Sequence, residues 1–210
     1  MHKFSTLAAG RGNFVQYIYS NDMDIKEIFY KNNGFLRTKD LTLRNQWNQL
    51  NKMIDIGLVA KLKSGLYCLQ QYEGVDQNRE VAQIVPLGVF CLFSAWQQYD
   101  LTTYHPFEYH IAIERETKIL LPDYPPIKIY RWREKFYNLG IVEMDGIKIY
   151  DMEKSVCDAI RFRNKVGMDT TVEILQNYVK RKDKNLNQLS RYAQQLEIEN
   201  IVRNMIMILL

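Results

Sequence analysis

Cysteine and histidine are both scarce in this chain of 210 residues, which contains three of each. The cysteines, Cys68, Cys91 and Cys157, are far apart and flanked by apolar residues. This pattern indicates small core residues in a reducing compartment and excludes a disulfide framework or a zinc knuckle. No two histidines have the i, i+4 spacing beside a third ligand that favours a zinc site. We therefore predict no metal site.

Long apolar runs are also missing. No stretch reaches the roughly 18 to 20 apolar residues that a membrane span needs. The first residues, MHKFSTLAAGRGNF, lack the long apolar core of a secretory signal. We expect a cytoplasmic protein that has no membrane partner.

Sequence signatures of catalysis are weak. The chain has no Gly-rich loop of the kind that cradles phosphates. A metal-dependent nuclease would need an acid followed by a strand with an acid-x-Lys triplet, but Glu116-Thr117-Lys118 precedes the candidate acid in Pro122-Asp123. We predict that the protein is not an enzyme and binds no cofactor.

One cluster of charged residues leaves a catalytic alternative open. Glu153, Lys154 and Asp158 fall near the start of a predicted helix, with Arg161 and Arg163 further along it. Acids in a first helical turn favour the helix dipole, and an i, i+3 Asp/Arg pair supports a helix. We favour a structural role for this cluster over a catalytic one.

The polar stretch from Gln70 to Glu80 has little apolar periodicity and predicts a domain boundary, which divides the chain into residues 1–75 and 76–210. Before it, the pattern predicts a helix, a short helical turn, a second helix and a hairpin, in the order of a winged helix-turn-helix. Residues 1–21 form an N-terminal extension. The predicted elements are Met23–Lys31, Thr38–Leu41, Leu43–Ile56, and Leu58–Leu62 with Leu66–Leu69, joined by Lys63-Ser64-Gly65.

After the boundary the pattern predicts strands followed by helices, so the expected fold class is α+β. Thr170 and Glu173 suggest a capping box for the second of the late helices. The predicted segments are a strand or turn entering a buried helix (Pro86–Tyr99), strands Phe107–Ile113 and Ile127–Arg131, a hairpin over Ile141–Tyr150, and helices Met152–Lys165, Thr171–Lys182, Leu186–Leu196 and Glu199–Leu210.

The second helix of the first domain has an unusual polar face. Leu43, Trp47, Leu50 and Ile54 recur at a helical spacing and predict an apolar stripe, with Trp47 in the core. The remaining positions carry amides and cations, with no acid before Asp55. Residues 1–70 also hold ten Lys and Arg against five Asp and Glu, a net charge of +5, whereas residues 71–210 have a net charge of −1. Such an excess attracts polyanions.

This chemistry matches the needs of a DNA recognition helix. Arg hydrogen-bonds guanine, and Asn and Gln hydrogen-bond adenine, while carboxylates would repel phosphate. The alternatives are an ordinary solvated helix face and a winged helix that binds protein. The predicted base contacts are Arg44, Asn45, Gln46, Asn48 and Gln49; the predicted backbone contacts are Lys52 on the same helix, Lys61 and Lys63 on the wing, and Thr38 and Lys39 at the preceding turn.

Taken together, these motifs resemble the AbiEi family of type IV antitoxins over nearly the whole chain. The most specific piece is Asp151–Asp158 (DMEKSVCD), which is similar to the family's D-x-E-[RK]-[ST]-hydrophobic-x-D pattern. Residues 1–21 depart from the family. The other matching segments are Gly34–Arg37, Ile56–Leu58, Ser64–Tyr67, Leu92–Ala95, Leu101-Thr102, Pro106 with Tyr109–Ile113, Pro126–Ile129 and Gly140-Ile141.

The resemblance implies a transcriptional autorepressor that binds inverted repeats of double-stranded DNA in its own promoter. We expect two molecules to occupy one repeat. It also implies that the second domain counteracts a cognate nucleotidyltransferase toxin, directly or indirectly. Two alternatives stay open: a DNA-binding regulator without a toxin partner, and a winged-helix module that binds protein.

Overall fold

The computed structural model describes residues 23–207, and the chain divides into two compact units, Met1–Gln77 and Asn78–Leu210. The α+β fold class is confirmed. The predicted extension over residues 1–21 and the end of the predicted last helix lie outside the described residues. No helix within the described range combines the length and the hydropathy needed to cross a membrane.

The first unit consists of helices and a small antiparallel sheet. The strand order in this sheet is β1-β3-β2. The predicted helices and the hairpin lie where the sequence placed them, whereas the short strand β1 was not predicted. The elements are α1 (Met23–Lys31), β1 (Phe35–Arg37), a 3-10 turn (Thr38–Asp40), α2 (Arg44–Asp55), β2 (Val59–Lys63), β3 (Leu66–Leu69) and a second 3-10 turn (Gln70–Tyr72).

A left-handed pair of residues ends α1 and directs the chain into β1. Asn33 and Gly34 have φ values of 54° and 88°, and the Gly34 N–H donates to the Phe29 carbonyl at 2.7 Å. A Cβ atom at Gly34 would lie 2.6 Å from the Tyr72 ring. Glycine is therefore required here for both its backbone conformation and its size.

The core of the first unit lies between the two helices and the sheet. Ile25 and Phe29 of α1, Leu36 of β1, and Leu50 and Met53 of α2 are each at most 1% exposed. Because the two helices bury these side chains together, they fix the orientation of α2 within the unit.

The second unit contains a five-stranded sheet with the order β6-β5-β4-β8-β7. The pairs β5/β6 and β4/β8 are parallel, and the other two pairs are antiparallel. The elements are α3 (Gln77–Ile84), β4 (Val89–Phe90), α4 (Phe93–Gln98), β5 (Tyr109–Glu114), β6 (Ile127–Trp132), α5 (Glu134–Tyr137), β7 (Ile141–Met144), β8 (Ile147–Tyr150), α6 (Met152–Arg161), α7 (Arg163–Val166), α8 (Met168–Lys180), α9 (Leu186–Gln195) and α10 (Glu199–Met207).

Helix α6 is the central element of the second unit. Every residue from Met152 to Ile160 is buried, including the charged ones. Trp96 donates from Nε1 to the Ser155 carbonyl at 2.8 Å, which joins α4 to this helix. The three cysteines are all buried, as predicted.

One sequence-based prediction about the second unit is wrong, and one helix was not predicted. Helix α3 begins within the polar stretch that predicts the domain boundary, and its buried face includes Glu80, Val81 and Ile84. The Thr170 and Glu173 capping box does not form, because α8 already begins at Met168. Glu173 instead accepts hydrogen bonds from the hydroxyls and a backbone N–H of the Thr102-Thr103 segment.

Candidate nucleic-acid interface

Helix α2 begins with a cap made by its own third residue. The Gln46 Oε1 atom accepts hydrogen bonds from the backbone N–H groups of Thr42 at 2.9 Å and Leu43 at 3.0 Å. These contacts satisfy two donors just before the helix, where a backbone N–H otherwise lacks a partner. Gln46 is only 6% exposed. Its prediction as a base contact is therefore wrong.

The cap also corrects the predicted apolar stripe. The buried face of α2 is formed by Gln46, Leu50 and Met53, whereas Leu43 is 50% and Trp47 41% exposed. The helix is thus rotated relative to the sequence-based expectation. Trp47 lies at the edge of the outward face and not in the core.

The outward face of α2 retains the amide and cationic chemistry that the sequence predicted. Gln49 is half-buried, at the border of this face. The exposed residues of the predicted set on α2 are Arg44, Asn45, Asn48 and Lys52, and Asn51 is exposed beside them. We call these five exposed residues the α2 face.

The hairpin β2–β3 places its two lysines differently. Lys61 is exposed, while Lys63 is half-buried beyond an irregularity in the β2/β3 register. Partial burial, and then the nearby charge of Arg37, lower the pKa of Lys63. Arg37 and Lys63 both pair with Leu66 of the central strand, from opposite sides. Arg37 was missed because β1 was not predicted.

The 3-10 turn connects to the tip of the hairpin. The Thr38 N–H donates to the Gly65 carbonyl at 3.0 Å, and a Cβ atom at Gly65 would lie 3.0 Å from the Thr38 hydroxyl oxygen. Thr38 is half-buried and Lys39 is exposed. Lys39, Lys63 and Arg37 therefore belong to neighbouring segments of one unit, together with the carboxylate of Asp40.

The DMEKSVCD segment, by contrast, is built into the second unit. Asp151 caps α6 by accepting from the Lys154 N–H at 2.8 Å and from the Tyr192 hydroxyl at 2.5 Å. Glu153 accepts from the Asn185 N–H at 2.9 Å and from the Tyr178 hydroxyl at 3.3 Å. These bonds tie α6 to α8 and α9, which supports the structural interpretation of the segment.

His110 on β5 is packed against its neighbours. It is 3% exposed, and its Nδ1 atom lies 2.9 Å from the Tyr130 hydroxyl. Burial lowers its pKa from 6.5 to about 4, although Glu108 opposes the shift. The ring is therefore neutral near pH 7 and accepts from the tyrosine in one tautomer.

Comparison with known proteins gives a likeness of fold. No family model matches the chain, and no curated protein matches it. The chain is similar to the RV2827C protein from Mycobacterium tuberculosis, with a TM-score of 0.55 and 11% sequence identity. The alignment covers 87% of this chain and 78% of that one. At this identity the likeness shows the fold alone.

Proposed function

We propose that this protein is a DNA-binding antitoxin that represses its own operon and counteracts a nucleotidyltransferase toxin. In this proposal the first unit is a winged helix-turn-helix and α2 is its recognition helix. The α2 face carries the proposal, because Arg44, Asn45 and Asn48 lie exposed in the first two turns, where a recognition helix meets base edges. Lys52, Lys61 and Lys39 then supply phosphate contacts.

The antitoxin part rests on the resemblance of the sequence to the AbiEi family. The second unit is the part assigned to neutralisation, either by direct contact with the toxin or indirectly. Two molecules are proposed to occupy an inverted repeat, one half-site each.

Binding to the DNA immediately upstream of the protein's own coding sequence tests the first part. Fluorescence anisotropy compares this fragment with a scrambled fragment of equal length, at several salt concentrations. We expect Arg44→Ala to weaken cognate binding by about 1 to 3 kcal/mol and to change random-DNA binding much less. Arg191→Ala removes an exposed cation from α9 and is the matched control. Equal loss on both fragments would exclude base contact by Arg44.

Co-expression tests the second part. The wild-type protein should restore growth to cells that express the product of the neighbouring gene. Arg44→Ala should retain this rescue if neutralisation does not depend on DNA. A neighbouring gene that encodes no nucleotidyltransferase, or failure of rescue by the wild type, would leave a regulator without a toxin partner.

A protein-binding role for the first unit has one observation in its favour. Leu43 and Trp47 are both exposed and lie one helical turn apart, so they form an apolar edge on α2. Such an edge suits a protein partner. This alternative predicts no affinity for DNA even at low salt, and the anisotropy experiment decides between the two.

A further inference from the structure

A cavity of about 680 Å³ opens in the second unit at the end of β6. Its walls come from β6, the residues around α5, the end of α6, and α7, with Arg115 after β5 completing the rim. This volume is in the range of small-molecule sites, which are roughly 300 to 1,000 Å³.

The charge of this cavity has a single sign. Its polar lining includes five cationic side chains, and no carboxylate belongs to the lining among the residues that the structure describes. None of the five forms an ion pair with a described carboxylate. An anion is therefore the expected ligand. The five are Arg115, Arg131, Arg133, Arg161 and Lys165.

Arg161 is the cation of the cavity that packs against its aromatic rings. Its guanidinium carbon lies 4.1 Å from the centroid of the Phe136 ring and 5.4 Å from that of Phe162. Its Nη1 atom is buried and has no hydrogen-bond partner within the described part of the chain. Asp158 Oδ1, three residues earlier on the same helix, is likewise buried without a partner among the described residues.

Two acids lie near Arg161, and each forms an ion pair with a lysine. Glu197 and Asp158 are both close enough to feel the charge of Arg161. Glu197 accepts from Lys135 at 2.8 Å, and Asp158 accepts from Lys154 at 2.6 Å. Neither acid forms an ion pair with Arg161, whose guanidinium belongs to the lining of the cavity.

A second guanidinium is held in place by the backbone. Arg131 Nη1 donates to the carbonyls of Arg115 at 3.1 Å and Thr117 at 2.6 Å. Its other nitrogen atoms remain as donors at the rim. A fixed guanidinium fork loses less entropy when it binds the oxygens of a phosphate.

The apolar part of the lining is aromatic. Phe136 and Phe162 are half-buried, and the Phe162 ring stacks on Trp132 with 6.0 Å between centroids. Aromatic rings beside arginines form the combination that binds nucleic-acid bases by stacking and their phosphates by charge. An acidic peptide would pair with the cations but would add no stacking contact to the rings.

We propose that this cavity binds a nucleotide, with its phosphates on Arg161, Arg131 and Arg133 and its base against Phe136 and Phe162. The nucleotide is either a free molecule or one unit of a single strand. This inference concerns the second unit and does not rest on DNA binding by α2.

Calorimetry with the full-length protein tests the proposal. ATP, adenosine, inorganic pyrophosphate and a short single-stranded oligonucleotide are titrated in turn at low salt. We expect ATP or the oligonucleotide to bind, pyrophosphate to bind more weakly, and adenosine not to bind. If ATP binds more tightly than the oligonucleotide, the ligand is a free nucleotide. If the oligonucleotide binds more tightly, the ligand is one unit of a single strand.

Variants of the cavity residues separate the contribution of charge to nucleotide binding from that of stacking. Arg133→Gln and Arg161→Gln should each weaken nucleotide binding at least tenfold, whereas Arg191→Gln, an exposed cation outside the cavity, should not change it. Phe136→Leu should weaken the binding of ATP but not that of pyrophosphate. Arg133 is exposed, so its variant tests the cavity even if Arg161→Gln does not fold, which circular dichroism reports.

Several results would overturn the proposal. The first is the absence of any nucleotide binding, and the second is nucleotide binding that none of the cavity variants affects. The third is equal affinity for pyrophosphate and ATP, with no effect of Phe136→Leu on either. The fourth is tighter binding of an acidic peptide than of any nucleotide. The Arg44→Ala variant should bind nucleotide normally, so failure here is distinct from failure of the proposed DNA interface.

Discussion

Lys154 donates from Nζ to Asp158 Oδ2 at 2.6 Å, one turn apart on α6, and both side chains are fully buried. The same Nζ atom lies 4.3 Å from the centroid of the Trp132 ring and 4.4 Å from that of Tyr150. Burial raises the pKa of the Asp158 carboxyl, and the neighbouring ammonium opposes that shift. The pair therefore depends on the simultaneous presence of both charges.

The first prediction concerns the loss of one partner. Lys154→Met leaves Asp158 buried without its counter-ion and should reduce the free energy of unfolding by about 3 to 5 kcal/mol. The double change of Lys154→Met with Asp158→Leu should recover most of this loss, because no charge is then left buried. Urea unfolding followed by circular dichroism measures the free energy of unfolding of the single and the double variants. Additive effects of the two changes would contradict the coupling between Lys154 and Asp158.

The second prediction separates the cap of α2 from its exposed face. Gln46→Ala removes the acceptor of the Thr42 and Leu43 N–H groups and should cost about 1 kcal/mol of stability. Asn48→Ala, on the exposed face, should stay within about 0.5 kcal/mol of the wild type. Equal unfolding midpoints in urea for Gln46→Ala and the wild type would rule out the cap.

The third prediction follows from the exposure of Trp47. Because its side chain is 41% exposed, Trp47→Ala should cost no more than about 1 kcal/mol, as is usual for changes outside the core. Leu50→Ala, at a position that is 1% exposed, should cost about 2 to 5 kcal/mol. Chemical unfolding of both variants makes the comparison, and a larger loss for Trp47 than for Leu50 would contradict the rotation of α2.

The fourth prediction concerns pH and His110. Burial lowers its pKa from 6.5 to about 4, so the unfolded chain binds the proton more tightly than the folded one. Stability is therefore fully present above about pH 6.5 and is lost as the pH falls toward about 4. At about pH 5 the loss amounts to about 2 kcal/mol.

Two histidine variants isolate this effect. Thermal unfolding as a function of pH should show a weaker dependence between about pH 7 and 5 in His110→Gln than in the wild type. His105 is exposed, and His105→Gln is the control, with an unchanged dependence. An identical slope in His110→Gln and the wild type would show that folding does not lower the pKa of His110.

The fifth prediction concerns the hairpin. Lys61→Ala should weaken binding to cognate and random DNA alike and lower the slope of log K against log salt by about one. Lys182→Ala, which removes an exposed cation from the second unit, should leave the slope unchanged. Anisotropy titrations at several salt concentrations provide the slopes, and an unaltered slope for Lys61→Ala would exclude the phosphate contact.

Long periodic elements were predicted well from the sequence, because the spacing of their apolar residues matches the face that they bury in the fold. Helix α1 and the hairpins over Val59–Leu69 and Ile141–Tyr150 lie where the pattern placed them. Strand β1 has only three residues, which is too few for alternation to show. Helix α3 was not predicted, because its buried face includes a carboxylate and shows little apolar periodicity.

The side-chain environment of α2 was harder to predict. Apolarity alone placed Trp47 inside and Gln46 outside, but the cap of the helix reverses the two. A long amide that serves as a cap gives no signal in hydrophobic periodicity. The cavity of the second unit was missed for another reason: Arg115, Arg133 and Arg161 come together only when distant segments pack, so no local motif marks them.

The exposure of Trp47 gives the protein an intrinsic optical probe. The other two tryptophans, Trp96 and Trp132, are 0% and 6% exposed and belong to the second unit. A water-soluble quencher of indole emission therefore reaches Trp47 in preference to the others. Any molecule that binds over α2 will shield the Trp47 ring from the quencher. Its binding can therefore be followed in unlabelled protein as a decrease in quenching.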